Sequence, residues 1–346
     1  KTGRLKVGLP LKGKIMTTPA VSALNLVPVR AGHTTEQALA SMVVLAQHTE
    51  ALGYSRYWIA EHHNTTSLAS SATSILISHT LQHTQRIRVG SGGVMLPNHS
   101  PLMVAEQYGT LATLYPERVD LGLGRAPGTD RLTAQALRRA ERETSLDFPE
   151  DVAALQRYLG DAAGQGYVKA FPGIGTHVPL YILGSSTESA YLAAEKGLPY
   201  VFAAHFAPRM LEEALAIYRS RFRPSETLAQ PYAIVALNVI GADDDQAAQY
   251  LATSQQQFFL NVVRNSRQPL SPPVDNMAGR WNEMEQHTVN SMTACSLIGG
   301  SATLAAQFSE LHTRLRADEY MAVSYIYDEA LQFASYRLFK EAVEAV

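Results

Sequence analysis

The stretch Tyr57–Asn64, YWIAEHHN, sets four residues of apolar or aromatic character directly before a carboxylate, two imidazoles and an amide. A short unbroken apolar run of this kind is typical of a strand buried on both faces of a parallel sheet. Strands in such sheets bring their carboxyl ends to one edge, and functional groups collect there. The polar residues after Ala60 are therefore the first candidates for chemistry.

Composition limits the possible functions. The chain has 346 residues, enough for one large barrel or two ordinary domains. Its 29 Lys and Arg against 31 Asp and Glu give a net charge of -2, which argues against nucleic acid or an anionic membrane surface as a partner. The single cysteine, Cys295, excludes an internal disulfide framework and favours a cytoplasmic location. No apolar stretch is long enough to predict a membrane span.

Strand-like runs recur along the chain with helical patterns between them. Thr34 and Gln37 predict a capping box at the start of one helix, and Ser100 with Pro101 predicts the start of another. The predicted strands are Val21–Val27, Arg56–Ala60, Ile87–Met95, Val119–Leu123, Pro179–Leu183, Tyr200–Ala204, Tyr232–Ile240 and Tyr320–Ile326. Eight apolar strands alternating with helices predict a (β/α)8 TIM barrel, an α/β fold with a closed parallel sheet.

Two segments interrupt this rhythm, and both follow a predicted strand. Residues 126–149 come after the fourth strand, and residues 265–295 lie within the seventh unit. Because the barrel pattern resumes after each, we interpret both as insertions above the carboxyl ends of the strands. We expect residues 1–19 to form an N-terminal extension and residues 20–346 to form a single domain.

The segments that follow the strands are rich in polar residues and glycine, which favours an enzyme. Neighbours on an extended chain point to opposite sides, so only one of His62 and His63 can face the barrel axis. The same argument prevents this adjacent pair from sharing a metal ion in the usual way, and no other metal-binding spacing is evident. The sequence therefore predicts no metal site.

Glycine-rich segments supply further candidates. Gly90–Met95, GSGGVM, indicates either a β-bulge or a strained peptide that a ligand approaches closely. The turn Gly184–Ser186 leads directly into a helix and predicts an anion site, although a plain helix cap is the alternative. Ile298–Ala305 has the same kind of residues at the start of a helix and is a second candidate for an anion site. Arg125 is suited to meet a phosphate, or to pair with Asp120 or Asp130.

Taken in order, RYWIAEHHN, RVGSGGVMLPNHSPLMVAEQYGTL, RVDLGLGRAPGTD and LGSS resemble the bacterial luciferase-like flavin-dependent monooxygenases, in particular their YhbW-type branch. The resemblance runs from about Ala23 to the last helix. It implies a cytoplasmic homodimer of TIM barrels that takes reduced FMN from a separate flavin reductase. With O2 the flavin would form a peroxide that oxygenates a small organic substrate.

The resemblance also implies roles for individual residues. His62 corresponds to the family's catalytic histidine at the flavin edge, and Gly92 and Gly93 correspond to a pair joined by a cis peptide beneath the ring, with Ser91 before them. Arg125, Gly184, Ser185 and Ser186 correspond to the phosphate contacts, which favours strand five over Ile298–Ala305 for this role. Bacterial luciferase has a cysteine at the position of Gly124, so light emission is not expected here.

Two other functions stay open at this point. The same barrel is compatible with hydride transfer by a deazaflavin such as F420 or by FMN itself, for which the basic run Arg131–Arg142 would be a modest contact surface. A flavin-binding protein without catalytic activity is the third possibility. The polar residues His62, His63, Asn64 and His99 argue against that last one.

Overall fold

Eight parallel strands close into a barrel in the computed structural model, which describes residues 18–126, 130–137 and 147–346. The strands run in the order β1 to β7, then β9, and β9 pairs with both β7 and β1. Their bounds are β1 Ala20–Asn25, β2 Arg56–Ile59, β3 Arg88–Met95, β4 Val119–Gly124, β5 Leu180–Gly184, β6 Tyr200–Ala203, β7 Ala233–Gly241, β8 Ser296–Gly299 and β9 Glu319–Val323. The predicted TIM barrel is confirmed.

Each of the eight predicted strands overlaps one barrel strand, and their ends agree to within three residues. The first strand ends at Asn25 because the Asn25 Oδ1 accepts a hydrogen bond from the Val27 amide at 2.7 Å, and Val27 itself has a φ of 52°. The short strand β8 was missed. It lies outside the barrel and pairs with the last residues of β7.

Helices connect the strands, and both helix starts that the sequence predicts are present. The Thr34–Gln37 capping box is formed, and the helix at Pro101 begins at that residue. The bounds are α1 Thr35–Ala51, α2 Thr73–Gln82, α3 Pro101–Leu114, α4 Arg131–Ala136, α5 Phe148–Leu159, α6 Thr187–Lys196, α7 Leu211–Arg221, α8 Asp245–Val263, α9 Glu283–Met292, α10 Ser301–Leu315 and α11 Glu329–Glu344. In the part of the chain that the structure describes, no helix is long and apolar enough to cross a bilayer.

Both insertions lie partly or wholly within the described residues. Of the first, residues 127–129 and 138–146 fall outside them, and these include 138–142 of the basic run considered for F420. The extension up to residue 17 also falls outside them. The second contains α9 and a segment in which Leu270 pairs with the chain after β1, through hydrogen bonds to Val29 and Ala31 of 2.8 and 2.9 Å. The two insertions meet where Arg267 pairs with Asp130 at 3.3 Å.

A buried ionic network fills the barrel at the amino ends of its strands. Arg56 pairs with Asp120 at 2.9 Å and with Glu319 at 2.8 Å, and all three side chains are nearly or fully buried. Asp120 also accepts from Arg88 at 2.6 Å and from the Trp58 indole at 3.1 Å. This end of a barrel serves stability, so the network closes the interior below the functional rim.

Apolar side chains occupy the barrel above the network. Alternate strand residues join one interior cluster, which α8 extends through Phe258, Phe259 and Leu260. Trp58 lies at its centre because Gly92 and Gly122, on the neighbouring strands, leave the space that its indole needs. The strand members of this cluster are Leu24, Trp58, Tyr181, Val201, Ile234, Ala236, Met321 and Val323. The carboxyl ends of the strands form its upper boundary.

Candidate active site

His62 lies where β2 ends, on the side of the chain that faces the interior. Trp58 and Ala60 belong to the interior cluster, and His62 continues the same alternation. Its ring lies close enough to the buried ring of His205 to lower the pKa of that histidine. The prediction that one of the two adjacent histidines faces inward is therefore confirmed, and the inward one is His62.

The protonation of His62 differs from that of a free imidazole, which titrates near neutrality. Burial lowers the pKa of His62 to about 4, although the carboxylate of Glu61 acts in the opposite direction. The side chain is thus neutral at pH 7. A neutral imidazole donates a hydrogen bond from one ring nitrogen and accepts one at the other.

His205 is a buried imidazole at the mouth that no sequence motif indicated. It lies in the turn after β6, two residues beyond the end of that strand. Burial lowers the pKa of His205 to about 3. The signal that could have found it is its position directly after the predicted strand Tyr200–Ala204.

Several buried polar atoms at this mouth have no hydrogen-bond partner among residues 18–126, 130–137 and 147–346. They include Nδ1 of both His62 and His205. Asn238 Oδ1 on β7 and Gln255 Oε1 on α8 likewise have no partner among these residues. Buried polar groups are nearly always hydrogen-bonded in proteins, so unpaired atoms concentrated at one place indicate a site that binds something polar.

The end of β3 carries the glycine motif beside this site. The peptide bond between Gly92 and Gly93 is cis, as the family resemblance implied. The pairing of β3 with β4 also shifts by one residue between Ser91 and Val94, so the motif contains a bulge as well. Ser91 is fully buried and its hydroxyl donates to the Gly122 carbonyl at 2.9 Å. Its side chain is therefore held within the sheet.

The turn after β5 leads into α6, whose first residue is Thr187. Ser186 is the N-cap residue, and its side chain makes no capping hydrogen bond to the helix backbone. Its hydroxyl instead bonds the Glu188 carboxylate, which lowers the pKa of Glu188, and the nearby cation of Arg125 lowers it further. Asp120 pairs with Arg56 and Arg88, and Asp130 with Arg267, so neither carboxylate is the partner of Arg125. Gly184, Ser185, Ser186 and Arg125 thus lie together at one rim.

The alternative anion site at Ile298–Ala305 is already filled by a side chain. Asp245 accepts a hydrogen bond from the Gly300 amide at 2.8 Å and another from the Thr303 hydroxyl at 2.9 Å. This carboxylate occupies the N-terminus of α10, where a bound anion would need the same amide. The geometry agrees with the choice of strand five.

A second group of polar side chains lies on the other side of β2. Glu61 is buried and accepts hydrogen bonds from His63 at 2.9 Å and from His99 at 2.7 Å. Burial alone would raise the pKa of Glu61, but these two hydrogen bonds outweigh it and hold the pKa below its usual value. His63 therefore belongs to a different group from His62, as their opposite directions require.

A parallel barrel whose strand ends carry buried imidazoles, a glycine-rich bulge and an uncapped helix start is built like an enzyme that binds a cofactor at its rim. The family model of the luciferase-like monooxygenases matches residues 21–318. The chain belongs to the luciferase-like monooxygenase family.

Individual relatives agree with this assignment. A luciferase-like monooxygenase of Escherichia coli strain K12 is 45% identical over 327 residues, which are 94% of this chain and 98% of that protein. The crystal structure of apo-MsnO8 superposes with a TM-score of 0.84 at 32% identity and covers 95% of this chain and 99% of its own. The oxygenating constituent of 3,6-diketocamphane monooxygenase, solved in complex with FMN, shares the fold with a TM-score of 0.70 at 15% identity, covering 94% of this chain and 97% of its own.

Proposed function

We propose that this protein is a flavin-dependent monooxygenase that uses reduced FMN, supplied by a separate flavin reductase, and O2 to oxygenate a small organic substrate. The observation that carries the proposal is His62, a neutral imidazole whose Nδ1 is buried and has no partner in the described part of the chain. It lies at the mouth of the barrel beside the glycine-rich end of β3. Membership in a family of monooxygenases supports the same reaction class.

The described residues fit an FMN molecule at both of its ends. The flat ring would lie against the backbone of Gly92 and Gly93 at the end of β3, while Leu24, Trp58 and Gly122 take the space where side chains at these two positions would lie. Gly184, Ser185 and Ser186 would bind the phosphate through hydroxyls and the amides of the first turn of α6, and Arg125 would supply positive charge. Ser91 would contribute through its backbone, because its hydroxyl is already bonded to Gly122.

Bound reduced FMN would supply the electrons that activate O2. The protein's own part is to position the reactants, exclude water and move a proton. His62 Nδ1 is buried and unpaired within the described residues, so it can accept or donate a hydrogen bond at the reacting centre without first giving up another partner. His205 lies close to it and can hold the polar group of a substrate.

Binding measurements separate this proposal from its alternatives. The purified protein is titrated with FMN, and under anaerobic conditions with reduced FMN and F420, while flavin fluorescence or absorbance is followed. We expect reduced FMN to bind and F420 to bind weakly. Tighter binding of F420 would favour hydride transfer instead. If reduced FMN binds but O2 reoxidises it no faster than in solution, and the rate does not depend on His62, the non-catalytic flavin-binding function is supported.

Replacing Arg125 with alanine is expected to weaken FMN binding at least about tenfold, because a charge-assisted hydrogen bond contributes roughly 1.5–3 kcal/mol. Riboflavin has no phosphate. It should therefore bind the wild-type protein less tightly than FMN does and should respond little to the substitution. Fluorescence titration with both ligands measures the difference.

Arg267→Ala is the matched control for this experiment, since Arg267 is another partly exposed arginine at the rim and pairs with Asp130. Its loss should leave FMN affinity nearly unchanged, because an exposed ion pair contributes little. Equal losses for FMN and riboflavin in Arg125→Ala, or equal effects of the two substitutions, would refute the placement of the phosphate.

We also propose that the protein forms a homodimer through the face of α2 and α3. Three large apolar side chains on these neighbouring helices are strongly exposed, namely Ile75 at 67%, Met103 at 57% and Leu114 at 62%. Exposed apolar patches of this kind are typical of protein contact surfaces. Sedimentation velocity should show a dimer, and Met103→Lys together with Ile75→Lys should shift it to monomer. Unchanged sedimentation of that variant would exclude this face.

A further inference from the structure

Glu61, His63 and His99 bring three metal-ligating side chains together on the side of β2 away from His62. Both imidazoles direct Nε2 at the same oxygen, Glu61 Oε1, at 2.9 and 2.7 Å. The three potential ligand atoms all lie within 4.8 Å of one another. A metal ion placed between them would need only small shifts of these side chains to reach ordinary coordination distances.

The topology explains why these residues meet. Glu61 and His63 are two positions apart on an extended chain, so they point to one side while His62 between them points to the other. His99 follows β3, the neighbour of β2, and lies in the loop that leads into α3. The sequence predicts no metal site because His62 and His63 point apart and no local metal-binding spacing is present. This grouping does not use His62 and depends on His99 from a different loop.

The chemistry of the three donors suits a borderline divalent ion. Two imidazole nitrogens and one carboxylate oxygen form the ligand set of many three-residue zinc sites, in which water takes the fourth position. The Glu61 side chain is only 3% exposed. Its negative charge would compensate a bound ion for the hydration that the ion loses on burial. The side chains of His63 and His99 are 14% and 33% exposed, which leaves access for the ion and its water.

We propose that Glu61, His63 and His99 form a binding site for one divalent transition-metal ion, with Zn²⁺ as the best match and a water molecule as its fourth ligand. The site is separate from the proposed flavin position, because its ligands face away from the interior that His62 enters. The proposal does not depend on the flavin chemistry and is tested without flavin.

Metal titration of the full-length chain tests the site. The protein is treated with EDTA, freed of chelator by gel filtration, and titrated with Zn²⁺ by calorimetry and with Co²⁺ by visible absorption. We expect one ion per chain and the intense bands of four-coordinate Co²⁺. His99→Ala and Glu61→Gln should each weaken Zn²⁺ binding by more than about 100-fold, since loss of even an outer-shell partner costs about 10- to 100-fold.

The chain contains a natural control in His177 and Asp161, an exposed histidine–carboxylate pair with a 3.0 Å contact. His177→Ala should leave Zn²⁺ affinity and the Co²⁺ spectrum unchanged. His63→Gln tests the third proposed ligand. Thermal unfolding of each variant shows whether a loss of binding results from misfolding. Absence of stoichiometric binding to the folded wild-type protein would overturn the proposal, and so would binding that survives all three ligand substitutions. Either result would define the group as a metal-free hydrogen-bonded cluster.

Discussion

Replacing His62 with alanine is expected to slow the O2-dependent reoxidation of bound reduced FMN by about 10²- to 10⁴-fold, the usual contribution of a positioned proton-transfer group. FMN affinity should stay within a few-fold, because the proposed phosphate contacts lie at the ends of β4 and β5. Stopped-flow absorbance after mixing the protein, reduced FMN and oxygenated buffer measures the rate. Fluorescence titration of the same sample measures affinity.

Two comparisons make this result specific. His62→Gln retains a hydrogen-bonding side chain but cannot carry a proton, so it should remain slow if proton transfer matters and recover if only a hydrogen bond is needed. His177→Ala removes an exposed histidine far from the mouth and should behave like the wild-type protein. If His62→Ala reoxidises at the wild-type rate, the buried imidazole has a structural role and the catalytic assignment is wrong.

Replacing Arg56 with alanine is expected to lower the free energy of unfolding by about 3–5 kcal/mol, because removal of one partner leaves buried charges without compensation. Arg56 pairs with Asp120 and Glu319 in the barrel interior, and neither carboxylate is exposed to solvent. Although burial favours the neutral guanidinium, these two carboxylates hold the pKa of Arg56 above its usual value. Urea denaturation followed by circular dichroism measures the loss.

Arg337→Ala serves as the control, because Arg337 and Glu341 form a half-exposed pair one helical turn apart, worth about 0.3–0.5 kcal/mol. Arg56→Lys keeps the charge but loses the guanidinium fork and should fall between the two. A loss below about 1 kcal/mol in Arg56→Ala would show that water or a rearrangement compensates the network.

Part of the candidate site follows from local sequence. The apolar run that ends at Ala60 marks a strand end, and alternation then decides that His62 and His63 point apart. The glycines at positions 92 and 93 cannot contribute to side-chain packing, so their presence in a central strand already indicates an unusual backbone. Local patterns of this kind predict where a residue lies on its own element, which is why the eight barrel strands and His62 were found.

Other parts depend on residues that are distant in the chain. β8 was missed because its four residues, directly after the second insertion, carry little periodicity, and it forms by pairing with β7. The N-terminus of α10 has the sequence of an anion site, yet Asp245, more than fifty positions earlier, occupies it. His205 becomes a site residue only when β6 takes its place in the barrel.

The sequence by itself determined the eight-strand barrel, the polar rim and the opposite directions of His62 and His63, because strand and helix periods are properties of neighbouring residues. Only the tertiary structure decided which of the two faces inward, the protonation of His62 and the grouping of Glu61 with His63 and His99. Burial lowers the pKa of His62 to about 4 rather than leaving it near neutrality. Burial and contacts between strands arise when the sheet closes, and no single segment carries that information.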